Sequence, residues 1–324
     1  MTTYKEIKGT QIEVVSSDPS NPLEGQVWYN STDEAVKGQA VTVAGSWATV
    51  NSMNTGRNGM GSAGTSTSAI GGGGSTATDV TNTEIWNGTN WSEVNDINQA
   101  SRTKGGAGAS NTSALVFGGI KPGDTVMNNT ESWNGTNWTE VNNLGTARRG
   151  ITGSGTQTAA IGAGGNTYPG GNVANAEVWN GSNWTEVNDL TRGSTSNGAQ
   201  FGTTSNAVFF GGSGPTANTE LWNGTNWTEV NNLNTSRDSA GGAGIYTAGL
   251  GFGGYSTTFV GVTEEWNGTN WTEVNDLNTG RSLLGNAGTS TSALGFGGNN
   301  PSKVANTELW TGAGAAQTRT FTTS

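Results

Sequence analysis

The hydrophobic positions of this chain fall in short runs that recur. An apolar run closing on two glycines appears at Ile70 to Gly72, Leu115 to Gly119, Phe209 to Gly212, Phe252 to Gly254 and Leu294 to Gly298, with an interrupted version at Ile161 to Gly165. A second mark, Trp86-Asn87-Gly88-Thr89-Asn90-Trp91, returns with its first Trp at 133, 179, 222 and 266, and a truncated copy ends at Trp310. The second Trp of each pair opens a Thr-Glu-Val-Asn segment or a close variant, and Trp47 to Val50 is an earlier copy of that half. Each mark occurs six times between residue 47 and the end, about 46 residues per unit, which is the period of a four-stranded propeller blade.

Local rules place four strands in each unit. Thr289 to Ser292 is a polar turn between the small-residue run Leu284 to Gly288 and the run Ala293 to Phe296. Asn267-Gly268 between apolar flanks predicts a hairpin, because Asn and Gly tolerate positive φ. The two Trp then face each other across its mouth. Side-chain size grows along the unit, from a Gly/Ala-rich strand to the Trp strands. A propeller needs that order, since blades converge at the axis and splay outward. The last unit lacks a second Trp, so Trp47 to Val50 is predicted to close the ring, with Thr318 to Thr323 as a competing candidate; closure removes exposed sheet edges.

Composition then narrows the chemistry. With no His and no Cys, nucleophile relays built on His, Cys/His zinc sites and His-ligated haem or copper are excluded, and no cofactor or metal is expected. The 54 Gly become a packing requirement rather than a flexibility signal. A net charge of -10 without a basic stripe argues against nucleic acid. No run approaches 18 apolar residues and Met1 to Val15 carries Lys5, Glu6, Lys8 and Glu13, so neither membrane insertion nor a signal peptide is expected.

At Leu294 to Gly298, Glu308 to Trp310 and Trp271 to Ser282 the sequence resembles the kelch repeat: apolar run, Gly-Gly, variable loop, Glu-x-aromatic strand, turn, Trp, and a later Arg before a small residue. Trp and Asn-Gly stand where that family commonly has Tyr and Asp-Pro. The resemblance implies a binding module; the copper radical oxidases among kelch-like proteins need Cys, Tyr and His, so that activity does not carry over. A second resemblance lies in residues 1–46. Ser16 to Pro22 is a Pro-punctuated linker, and Gly25 to Asp33 with Val36 to Gly38 reads as a small hairpin similar to leader segments of marine bacteriophage virion and tail proteins.

An Arg follows the fourth strand of every unit: Arg57, Arg102, Arg148, Arg192, Arg237 and Arg281. Six guanidiniums around one opening would attract carboxylate or sulfate. The competing reading pairs them with the equally periodic Glu84, Glu131, Glu177, Glu220, Glu264 and Glu308 as ties between blades. The loops after Gly-Gly differ most between units and carry Lys121, Tyr168, Tyr255, Phe259 and Lys303, which are candidate ligand contacts because binding residues concentrate on loops over rigid scaffolds. The Trp pairs suit sugar stacking, yet their periodicity favours packing. Among non-repeated acids, Asp79, Asp124, Asp238 and Glu265 show no pairing of the kind a glycosidase needs.

The expectation is an all-β, six-bladed kelch-like propeller over residues 47–324 with an N-terminal attachment segment, 1–46. As a function, the resemblances imply a non-enzymatic virion component, assembled in the bacterial cytoplasm and associated with the tail or fibre. It would bind other virion proteins through residues 1–46 and a host-surface glycan or protein through loops on one face; a homo-oligomer is compatible with this. The alternatives are architectural decoration of capsid or tail without host contact, and a carboxylate-dependent glycan-degrading enzyme.

Overall fold

A computed structural model describes residues 12–20, 26–39, 44–193, 195–314 and 318–320, and no helix occurs among them. The chain divides into two compact units, Ser46–Gly312 and a smaller one drawn from Met1–Gly45 and Ala313–Ser324. The repeat-bearing unit therefore ends at Gly312, short of the expected limit at residue 324.

The larger unit contains six four-stranded antiparallel sheets, an architecture compatible with a propeller. Sheet 1 is Gly61–Thr65, Ser68–Gly72, Thr83–Trp86 and Trp91–Val94; sheet 2 is Gly105–Ser110, Ser113–Phe117, Thr130–Trp133 and Trp138–Val141. Sheet 3 is Thr152–Thr156, Ala159–Ala163, Ala176–Trp179 and Trp184–Val187; sheet 4 is Ala199–Gly202, Ala207–Phe210, Thr219–Trp222 and Trp227–Val230. Sheet 5 is Gly241–Ile245, Ala248–Phe252, Thr263–Trp266 and Trp271–Val274. Sheet 6 is Gly285–Thr289, Ser292–Phe296 and Thr307–Thr311, and its fourth strand is Ser46–Val50, with Trp47 opposite Trp310. The competing tail segment does something else: Thr318–Thr320 pairs with Ala35–Gln39 in the smaller unit.

Small residues in the first strands are required by backbone approach. A Cβ at Gly106 would stand 2.3 Å from the Ser62 carbonyl oxygen of sheet 1, and one at Gly153 would stand 2.7 Å from the Gly106 carbonyl oxygen of sheet 2. Outward, the gaps are filled by six apolar clusters, each shared by neighbouring sheets. Ala107, Leu115 and Phe117 of sheet 2 meet Ile151, Ala160 and Trp179 of the next, and Phe296 and Leu294 of sheet 6 meet Ala69, Trp86 and Trp91 of sheet 1.

The Trp pairs face each other at ring-centroid distances of 5.3 to 5.6 Å. All are buried except the half-buried Trp184, so they are packing elements rather than sugar platforms. In the turn between them Asn87 acts differently from expectation. Only Gly88 has positive φ (93°), while Asn87 Oδ1 accepts the amides of Thr89 and Asn90, both at 2.9 Å. The Asn is an Asx-turn acceptor, not a residue chosen for backbone handedness.

The second Trp of each pair also ties sheets together. Trp91 Nε1 donates to Thr307 Oγ1 (2.9 Å), Trp138 to Thr83 (3.2 Å), Trp184 to Thr130 (2.9 Å), Trp271 to Thr219 (3.0 Å) and Trp47 to Thr263 (3.0 Å). Trp227 breaks the series: its sheet-3 counterpart is Ala176, and its buried indole N–H has no partner.

Ahead of the first strands lies a circuit of backbone hydrogen bonds. Thr103 N donates to Gly59 O (2.6 Å), Gly150 to Thr103 (2.9 Å), Asn197 to Gly150 (2.8 Å), Ser239 to Asn197 (2.7 Å), Leu283 to Ser239 (2.9 Å), and Gly59 to Leu283 (2.9 Å). All six residues are left-handed, with φ between 52° and 65°. For Thr103 and Leu283 that conformation is costly, and the surrounding packing and hydrogen bonding must hold it.

In the smaller unit Val27–Asn30 and Ala35–Gln39 form the expected hairpin, with Glu13–Val15 parallel to its first strand. The Asp18 carboxylate gathers it, accepting from Trp28 Nε1 (3.0 Å), Asn30 Nδ2 (2.7 Å) and Lys37 Nζ (2.9 Å). The Asn30, Lys37 and Trp28 donors hold its pKa down at about 2.

Candidate functional site

The six expected arginines do not form a ring. Counting seven residues back from the left-handed glycine near the end of each first strand (Gly64, 108, 155, 202, 244, 288) gives one equivalent slot per sheet: Arg57, Ser101, Arg148, Thr195, Arg237 and Arg281. The four arginines in this slot have no exposed surface. Arg57 contacts Glu84, Arg148 contacts Glu177 at 3.0 Å, Arg237 contacts Glu264 at 2.6 Å and Arg281 contacts Glu308 at 2.7 Å. Burial pushes the pKa values of Arg148, Arg237 and Arg281 down, and the paired carboxylates oppose it. Each Glu also accepts a backbone amide from the connector entering its sheet, as Glu264 does from Asn234 N at 2.7 Å. The oxyanion reading therefore fails at Arg57, Arg148, Arg237 and Arg281, which are enclosed structural ties.

At the two exceptions a cation approaches from another position without the Arg–Glu contact, and Glu131 Oε1 and Arg192 Nη1 stay buried and unpartnered. In sheet 2 the slot holds buried Ser101, and Lys104, three residues later, supplies the cation. Its Nζ donates to Gly118 O at 3.3 Å; burial lowers its pKa to about 8, against the pull of Glu131. Glu131 accepts from Asn98 N and Nδ2 at 2.8 and 2.7 Å, and its Oε1 has no partner. In sheet 4 the slot holds Thr195, and Arg192 reaches in from three residues earlier to donate to Thr195 Oγ1 at 2.9 Å.

Arg102, displaced one position from the slot, lies among the loops that follow Gly-Gly, 34% exposed. Its guanidinium meets Asp79 at 2.6 Å and Asp124 at 3.6 Å, so two of the non-repeated acids converge on one cation. Arg149, the next residue after the sheet-3 slot, stacks 5.2 Å from the Tyr168 ring centre. The backbones of both positions pair with the first loop residues, Arg102 with Ile120 and Arg149 with Asn166. Between these loops and Ser213 of sheet 4 is a depression of about 400 Å³, lined by Arg102, Ile120, Arg149, Asn166, Ser196 and Ser213 among others. A second cleft, where the six first strands begin, holds only about 90 Å³.

No protein-family model matches this chain, and no curated protein matches it. The remaining candidates are dispersed: Tyr255 and Phe259 touch each other at 5.5 Å on the sheet-5 loop, Lys303 is exposed on the sheet-6 loop, and half-buried Lys121 follows Ile120. Asp238 bonds Ser239 Oγ at 2.7 Å and burial raises its pKa; Glu265 is raised by burial as well. Among the described residues no group of three or more carboxylates gathers as a metal site. Sequence reasoning passed over Arg149, whose signal was its place beside a periodic Arg, in a position held elsewhere by Asn58, Arg102, Ser196, Asp238 and Ser282.

Proposed function

We propose that this chain is a non-enzymatic recognition module: a closed six-bladed kelch-like propeller, carried on a bacteriophage particle through residues 1–46, that offers the loops after Gly-Gly to a host-surface glycan or protein. The observation that carries the reading is a division of labour. The periodic Trp pairs, the four slot arginines and their Glu partners are consumed by packing, whereas the candidate loop residues Lys121, Tyr168, Tyr255, Phe259 and Lys303 are exposed or half-buried. The closed-ring part is supported by the backbone circuit returning from Leu283 to Gly59 and by the pairing of Ser46–Val50 into sheet 6. The phage attribution rests on the resemblance of Ser16 to Gly38, whose hairpin belongs to a separate unit. Display in many copies would convert weak contacts into avidity.

The test is adsorption. Particles carrying the chain should bind host cells, and purified chain should compete; particles lacking it should bind poorly. If loss of the chain leaves adsorption unchanged, architectural decoration replaces recognition.

A further inference from the structure

We propose that the depression between the loops of sheets 2, 3 and 4 binds the carboxylate or sulfate of an acidic saccharide, with Arg149 as the anchoring cation. This deepens the recognition reading and rests on it for biological meaning. The first support is Arg149 itself. Among the described arginines of the larger unit it is the only one with neither an ion pair nor a side-chain hydrogen bond, in a chain of net charge -10. Every other arginine of the larger unit is engaged by Glu, by Asp or, for Arg192, by Thr195. Its guanidinium carbon lies 5.2 Å from the Tyr168 ring centre, a cation–π contact that uses none of its N–H donors, so they remain for two-pronged capture of a planar oxyanion.

The second support is the cavity. Its volume, about 400 Å³, lies within the usual range of small-molecule sites. Its wall is dominated by amides and hydroxyls. Asn166 Nδ2 bonds Asn172 Oδ1 at 2.8 Å, and the Ser196 and Ser213 hydroxyls share a hydrogen bond at 2.6 Å. These groups are fixed in place yet keep lone pairs and N–H bonds for sugar hydroxyls. Tyr168, the ring against Arg149, is 50% exposed, an apolar surface beside the cation for a pyranose to rest against. Arg102 is a poor anchor because Asp79 and Asp124 already offset its charge. The chemistry thus selects a hydroxyl-rich ligand with one anionic group near Arg149.

The experiment titrates the full chain with trigalacturonate, a sulfated galactan trisaccharide and neutral galactotriose, followed by calorimetry and amide chemical shifts. One or both acidic probes should bind at least about tenfold tighter than galactotriose and weaken with salt; which one binds tells uronate from sulfate. Arg149→Gln should lower that affinity about ten- to hundredfold, with Arg149→Lys intermediate and melting temperatures unchanged. In the unsubstituted chain the amides of Asn166, Asn172 and Ser213 should shift on titration. Acidic probes binding no better than the neutral one, a folded Arg149→Gln chain binding like wild type, or shifts confined to other loops would each overturn the site. Adsorption to cells that survives Arg149→Gln, without acidic-probe binding, overturns the site and leaves recognition standing. Acidic-probe binding without adsorption does the reverse.

Discussion

The break in the Trp-to-Thr series at Ala176 offers a stabilising substitution whose size can be worked out. Five indole N–H groups reach a Thr hydroxyl on the neighbouring sheet, and the sixth, on Trp227, is buried without a partner. An unmatched buried donor costs about 1 to 3 kcal/mol, and a made hydrogen bond contributes about 0.5 to 1.5 kcal/mol net. Ala176→Thr supplies the acceptor at the register position of Thr219, since Ala176 lies opposite Val187 as Thr219 lies opposite Val230. The added methyl meets Ala163 across the strand pair, where Thr219 meets Phe210, so crowding should be smaller than in sheet 4. Ala176→Val controls for volume, being nearly the same shape without the hydroxyl. Thr should exceed Val by about 1 to 2 kcal/mol in chemical denaturation, a few degrees in melting temperature. The converse change, Thr219→Val, should cost a similar amount by orphaning Trp271. Equal stability of the Thr and Val chains, or a Thr chain weaker than the parent, would refute the hydrogen-bond argument.

Arg237→Met should destabilise by about 3 to 5 kcal/mol in the same assay, because it strands the buried Glu264 carboxylate. Arg102→Gln should cost about 1 to 3 kcal/mol, less than the fully enclosed pair because Arg102 is 34% exposed, yet more than a surface pair because the Asp79 side chain it leaves is only 2% exposed. Lys104 is lowered to about 8 in the folded chain from an ordinary 10.5, so between those values the unfolded chain holds the extra proton. Stability should therefore rise with pH from about 8 to 10.5, by at most about 1.4 kcal/mol per pH unit, and Lys104→Met should flatten that rise in pH-dependent melting curves. Asp18 is lowered to about 2, so its contribution is present above pH 3.8 and lost as pH falls through 2. Hydrogen exchange across residues 26–39 should accelerate over that acid window, and Asp18→Asn should bring the acceleration to neutral pH.

Much of the sheet pattern was legible because its causes are local and repeated. Asn-Gly turns, Gly-Gly strand ends and paired Trp each leave a fixed residue at a fixed spacing, and Trp47 announced its place in sheet 6 by matching the other second Trp. The pairing of the periodic arginines with the periodic Glu residues holds at four positions and fails at two, for a related reason. Arg102 and Arg192 lie near the slot in sequence, but a shift of one residue or three changes what a side chain meets, and aligning on Gly108 and Gly202 exposes the Ser101 and Thr195 that occupy the slot instead. The backbone circuit was invisible, since main-chain hydrogen bonds leave no side-chain mark and only Gly59 and Gly150 carry the residue that left-handed φ favours. Arg149 was passed over because it never repeats. Its environment is made by Tyr168 and Asn166 of one loop and Ser213 of the next, which come together only across two sheets.

Sheet 6 is assembled from strands that the ribosome makes far apart in time. Ser46–Val50 emerges early, whereas its partner Thr307–Thr311 comes 261 residues later. At synthesis rates of about 5 to 20 residues per second the first-made strand waits roughly 13 to 52 s, with Trp47 exposed, before its partner exists. During that interval on a polysome, the strand from one nascent chain can enter the open sheet of another. Crowded expression is therefore expected to yield strand-exchanged dimers, and slow dilution or a tethered permutant beginning at residue 51 to suppress them.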